Sequence, residues 1–480
     1  MPAENVLSFR KRVSYGIGGA VYSIKEAAYA VFVLLFYTQV LGLSGTWTGI
    51  ALFFAVVIDA ISDPVIGTWS DRLQSRWGRR HPFMVAGALP LGLGFLGLFN
   101  PPEAILDSQL ALATWLLFWS AWIRTFISAY SIPQLALSAD MSSDYHERSA
   151  IMSMRMFFGF LLTVLFPAVA IRFIFPESNG EDGRFIPANY STYALWSCAL
   201  IWIFAAASIW GTREYAIPNH LRVSGDTGSS GIRAGLKASV SDFRSTLRNT
   251  NFKYLVGYEI SAMISYGILI ALNFLTWVYY WELSSEDSST LLAIPALIGV
   301  TAAMPAMRWL GGRMAKHRII QITSLLISLD IAWVFGMRIW GWLPENDPAL
   351  AHQLLILQMT IFLFLFIMRS ISAYSLLVDI ADEHDLQEGR RQEGALFAAF
   401  AFAAKLASGI GPLYGGAVLD LIGLNQGMLP GTINQNTLDG LAIATVVGTV
   451  IPLVFAWYFS NKVSLSEQRL REIQTQLAQR

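Results

Sequence analysis

Residues 58–80 read IDAISDPVIGTWSDRLQSRWGRR. Two carboxylates, Asp59 and Asp63, stand four positions apart in an otherwise apolar run, and Arg72, Arg76, Arg79 and Arg80 follow closely. If the run is helical, that spacing puts both acids on one face. What surrounds them decides the environment. The 480-residue chain is 54% hydrophobic and only 14% charged, where soluble domains carry roughly 25% charged residues. Mean hydropathy is +0.49. A chain this apolar belongs in a bilayer, where each charge costs at least a few kcal/mol. Two carboxylates with no basic neighbour in sequence would repel, so one would be protonated unless a cation sits between them. Oxygen-only ligands suit a small hard cation or a proton. Pro64 adds a freed carbonyl or a plain kink.

Apolar segments of spanning length, roughly 20 residues, recur at 14–41, 46–70, 82–100, 108–137, 150–175, 192–211, 252–280, 289–312, 319–341, 351–378, 393–422 and 439–461. Lipid cannot satisfy stray backbone groups, so these are expected to be helices. The fold class is therefore an all-α membrane protein with twelve transmembrane helices. Thirteen residues, among them Glu4, Asn5, Ser8, Arg10, Lys11 and Arg12, precede the first span and no small-residue cleavage site follows it, which predicts a retained helix. Basic residues favour one set of alternate loops: 10–12, 72–80, 148, 212–251, 313–318, then Arg390 and Arg391. Acids such as Glu103, Asp107, Glu177, Glu345 and Asp347 favour the other. This bias predicts cytoplasmic termini in a plasma membrane.

The polar segment 212–251, with its flexible GDTGSSG, divides the chain. The expected domains are a six-helix bundle at 1–211, a cytoplasmic linker at 212–251, a second bundle at 252–461 and a tail at 462–480, read as a solvated helix at the membrane. The halves echo each other. SDRLQSRWGRR resembles GGRMAKHR, and ADMSSDYHER resembles VDIADEHDLQEGRR. Repeated halves predict a transporter with its solute site midway between them.

Other charges lie within the apolar segments. Arg124, Ser128, Ser131 and Leu135 share a face. Tyr22, Ser23 and Glu26 do likewise on the first helix, as hydrogen-bonding groups for a solute or as interhelical glue. Arg155 and Lys405 come from opposite halves and are expected to line a cavity; Lys25 and Arg369 are expected to partner buried acids. A cytoplasmic charge latch is expected from Asp71, Arg72, Arg76, Arg79 and Arg80 with Asp140, Asp144, Asp379, Asp382 and Glu383. Cys198 is the single cysteine, so no disulfide forms within the chain. There is no GxxxxGK[ST], no HExxH and no metal spacing among the six histidines, which argues against an ATP-driven pump, an enzyme or any cofactor. Zero net charge gives no general attraction to nucleic acid.

The run DAISDPVIGTWSDRLQSRWGRRHP resembles the second-helix motif of the glycoside–pentoside–hexuronide:cation symporters, a major facilitator family. YGIGG at 15–19, FYTQVLGLS at 36–44, SADMSSDYHERSAIMSMR at 138–155 and VDIADEHDLQEGRRQEG at 378–394 match as well. The resemblance implies two pseudo-symmetric six-helix bundles and a cation site at Asp59, Asp63 and Ser128. Ser62 stands where relatives often have asparagine, which leaves Na+ or H+ open as the coupling ion. It also implies a solute site in which Ser23, Ser131 and Leu135 replace two acids and an aromatic, while Arg155 and Lys405 remain. Fewer acids beside two cations favour an anionic solute, a hexuronide or sulfonated sugar, because unpaired buried cations are costly. The alternatives are a neutral glycoside, with Glu26 restoring a carboxylate, a lysolipid-like amphiphile, or an uncoupled facilitator. The expected partners are the solute and membrane lipid, with the protein a monomer.

Overall fold

The computed structural model describes residues 7–73, 75–142, 144–178, 180–216, 248–311, 313–343, 348–388, 392–465 and 467–478. Most of the expected linker lies outside the described residues, as do Glu345, Asp347, Arg390 and Arg391.

Among the described residues, twelve helices are long and apolar enough to span a membrane. They are α1 (Phe9–Val40), α2 (Gly45–Arg72), α3 (His81–Leu98), α4 (Gln109–Met141), α5 (Tyr145–Phe173) and α6 (Pro187–Gly211). Then come α7 (Thr250–Tyr280), α8 (Ser285–Gly311), α9 (Lys316–Ile339), α10 (Pro348–Glu388), α11 (Glu393–Ile422) and α12 (Gln435–Lys462). A two-residue hairpin pairs Glu177 with Asp182. The spans fall where apolar length puts them, but α10 runs well past 378. Hydropathy stops at the lipid edge, whereas the helix continues as long as its residues favour it.

The tail forms a final helix, α13 (Glu467–Ala478), with most of its described residues exposed. Ile473 is fully buried, in one cluster with Phe252, Leu377, Ile380 and Leu465. Leu477 packs against the same cluster, so the polar helix docks through two apolar residues.

Contacts divide the chain into two compact units. The first holds 1–227 with 284–289 and 419–428; the second holds the remainder. In the first, Phe32, Phe36, Phe99, Phe175, Tyr190 and Tyr193 form an aromatic cluster. The start of α2 has an unusual cap in that unit. Asp420 accepts hydrogen bonds from the Gly45 N–H at 2.7 Å, the Thr46 N–H at 2.8 Å and the Ser44 hydroxyl at 2.6 Å. These satisfy orphan donors that Ser44, the residue at the cap position, leaves unmet.

Glycine brings backbones together within each unit. A Cβ on Gly19 would lie 2.7 Å from the Arg155 carbonyl oxygen, joining α1 to α5. One on Gly411 would lie 2.1 Å from the Gly267 carbonyl carbon, joining α11 to α7. Membrane helices associate through such small-residue contacts.

The halves also share a local break that loop comparison does not reveal. Both α1 and α7 end in a π-helical turn, at Phe36–Val40 and Thr276–Tyr280. The amides of Leu41 and Trp281 reach back five residues, to Phe36 and Thr276. The next residue takes positive φ in each case, Gly42 at 75° and Glu282 at 50°. Only the first is glycine. A left-handed conformation costs an L-residue about 1–2 kcal/mol, partly offset because glycine loses more entropy on folding. Glu282→Gly is therefore expected to stabilise the protein by up to about 1 kcal/mol, read as a higher melting temperature in detergent.

Candidate functional site

The α2 acids face α4. Asp59 is 2% exposed, and Asp63, one turn on, is half-buried. Ser128 on α4 sits at both: its hydroxyl oxygen is 3.1 Å from Asp59 Oδ1 and 2.5 Å from Asp63 Oδ1. The Arg124 carbonyl, at 3.0 Å, is a third acceptor. One hydroxyl proton serves one acceptor well at a time, so the serine oxygen keeps lone pairs for an incoming cation. Ser62 is occupied differently, donating to the Asp59 carbonyl at 3.0 Å.

A cation already stands at the first acid. Arg124 Nη1 lies 3.2 Å from Asp59 Oδ2, with side chains 12% and 3% exposed. The guanidinium also covers the Tyr29 ring at 4.8 Å from its centroid. The polar face read along the fourth span thus places Arg124 and Ser128 against α2. On α1, about one turn before Tyr29, Lys25 forms an ion pair with Glu26 and lies 4.4 Å from the Tyr22 ring centroid.

The expected solute residues divide by what they do. Ser23 is buried and donates to the Gly159 carbonyl at 2.6 Å, joining α1 to α5. Tyr22 and Leu135 are exposed at 40% and 43%, and Ser131 is half-buried. Arg155 Nε donates to Gln134 Oε1 at 2.7 Å, and Gln134 Nε2 donates to the Tyr15 carbonyl at 3.0 Å. Gln134 is fully buried and aims the arginine. It escapes sequence reading because a glutamine beside Pro133 resembles any polar residue at a kink. Lys405 lies in the second unit, half-buried on α11.

Among the gate residues, Arg80 binds Asp71 at 2.7 Å, Arg79 binds Asp140 at 3.2 Å, and Arg80 also reaches Asp140 at 3.6 Å. Burial pushes the Arg80 guanidinium down, and Asp71 and Asp140 pull it back. Arg72 and Arg76 are exposed. Asp144 caps α5 by accepting from the Glu147 N–H at 2.7 Å. Within the second unit Asp379 is paired with Lys316 at 2.6 Å. There too Glu383 accepts from Asn249 and Asn251, and Asp382 from Gln474 at 3.4 Å.

Three buried charged groups in the second unit have a different character. Arg369, expected to partner an acid, packs on Phe366 and Tyr258, with Nε and Nη1 lacking hydrogen-bond partners. Glu259 is 5% exposed and feels its charge. Asp330, equally buried, accepts from Gln358 at 3.0 Å and Trp333 at 3.3 Å. Glu259 and Asp330 occur singly within apolar sequence, without the paired spacing that draws attention to α2.

Residues 14–460 match the family described as MFS/sugar transport protein. The chain is 23% identical to the inner membrane symporter YicJ of Escherichia coli (strain K12), covering 99% of this chain and 96% of that one. It is 22% identical to the putative glycoside/cation symporter YagG of the same organism, over 98% and 95%. The solved D-xylose-proton symporter superposes with a TM-score of 0.60 at 14% identity, over 95% of this chain and 99% of that one. That last likeness is one of fold.

Proposed function

The chain belongs to the major facilitator family of sugar transport proteins, among the glycoside–pentoside–hexuronide:cation symporters, and from that premise we propose that it imports an anionic glycoside together with Na+ or H+. It is an integral membrane transporter and not an enzyme. The observation that carries the coupling is the α2–α4 cluster, in which two carboxylates share one serine hydroxyl. Filling it with a cation relieves repulsion between the acids and binds α2 to α4. Cation and solute then strengthen each other's binding, since coupling is reciprocal, and the loaded protein changes its open side.

The anionic class follows from the charges. Arg155 is held in place by Gln134, and Ser23 supplies no carboxylate. Glu26 is compensated by Lys25, which weighs against the neutral-glycoside reading. A hexuronide or a sulfonated sugar answers this arrangement. Arg79, Arg80, Asp71 and Asp140 are the proposed core of the cytoplasmic latch, with both termini in the cytoplasm of a bacterial inner membrane.

The test uses purified protein in proteoliposomes. Uptake of a hexuronide and its neutral parent glycoside is followed under an imposed Na+ or pH gradient. Accumulation of the hexuronide driven by one gradient is expected. Equal handling of both sugars would refute the anionic class, and indifference to both gradients would refute coupling.

A further inference from the structure

We propose that the second unit has a proton-binding site of its own: Glu259 on α7 holds a proton while it stands apart from Arg369 on α10, and gives it up when the two close into an ion pair. Both side chains are buried, at 5% and 2% exposure. Neither is satisfied. Among the described residues no hydrogen bond or ion pair meets the Glu259 carboxyl, and Arg369 leaves Nε and Nη1 without partners. They border the same space. Ala262, one turn beyond Glu259 on the same α7 face, lines a small cavity with Ser265, Phe362, Phe366 and Arg369. That cavity has room for about one water molecule, which gives a proton a way to the acid.

A carboxylate in such a place is costly unless a cation and hydrogen-bond donors meet it. A proton removes that cost. Arg369 meanwhile keeps its charge over the rings of Phe366 and Tyr258, 5.0 Å and 6.0 Å from their centroids. Once ionised, Glu259 needs a cation in contact, and the open guanidinium donors supply it. The unit then has two arrangements, an acid apart from the arginine or a carboxylate upon it, and the proton chooses between them. Ionisable side chains on the helices packed against this stretch of α7 are Arg369 and Tyr374 on α10, Lys405 on α11 and Tyr458 on α12, with Tyr258 on α7 itself. Tyrosines stay neutral near pH 7. Of the two cations, Arg369 borders the cavity. The α2–α4 acids belong to the first unit, so this site is separate from them.

Infrared difference spectra of the purified protein between acid and alkaline pH test the assignment. A carboxylic-acid C=O band that disappears on alkalisation is expected in the native protein and is expected to be missing from Glu259→Gln. Glu259→Asp should move the band and not remove it, which excludes misfolding as the cause. Arg369→Gln withdraws the cation, so the band should persist to a pH at least about one unit higher. Arg369→Lys keeps the charge and should stay within about half a unit of native. The band should survive Asp63→Asn; its loss there would assign the proton to α2 and overturn the proposal. Coincident spectra for native and Glu259→Gln overturn it as well, as does an Arg369→Gln midpoint unchanged from native. No transported solute enters this measurement, so its failure and the failure of the coupling reading are told apart.

Discussion

Asp63→Asn is expected to abolish concentrative uptake. The half-buried Asp63 carboxylate meets the Ser128 hydroxyl beside Asp59, and an amide there removes one of the two negative charges that would draw a cation. An anionic sugar carried with a monovalent cation moves no net charge, so the driving force is the cation gradient. A tenfold gradient supplies about 1.4 kcal/mol per ion, enough for about tenfold accumulation. In the variant that ratio should fall to unity, with solute equilibrating but never accumulating. The reading is the steady-state ratio of a hexuronide in proteoliposomes under an imposed inward gradient of each candidate cation. Accumulation that persists at the native ratio would remove Asp63 from the coupling step. Asp59→Asn is the less informative variant, because it strips Arg124 of its partner and mixes stability with function.

The second large effect concerns packing. Gly411→Ala would place a methyl 2.1 Å from the Gly267 carbonyl carbon. Backbone cannot yield as a flexible side-chain end does, so α7 and α11 must separate. Overpacked interiors lose about 1–3 kcal/mol, and a clash with main chain should fall at or beyond the upper end. Expected results are a sharply lower melting temperature in detergent and poor recovery from the membrane. Gly394→Ala, where nothing lies within 4 Å of the added methyl, is the matched control and should be neutral. Equal behaviour of the two variants would contradict the backbone contact.

How much of this is legible without coordinates depends on the reach of each interaction. The spans are legible because lipid imposes length and composition on every one, and the α2 acids because spacing within one helix fixes their common face. Arg124 shows the limit. Its place on a polar face of α4 follows from periodicity, but periodicity does not say which helix that face meets, and so gave no reason to pair it with Asp59. Gln134 and the α13 docking residue Ile473 fail for the same reason. Each acts through a partner distant in sequence. The glycines at 267 and 411 carry no signal at all until two backbones are seen to touch.

The Asp420 cap has a consequence for biogenesis. The donors at the start of α2 find their acceptor 375 positions later in the chain. A ribosome will have threaded most of the protein into the bilayer before that carboxylate emerges. The first half must therefore wait with an unfinished helix end, and truncated products ending before residue 420 should be marked for proteolysis even with their own six spans inserted.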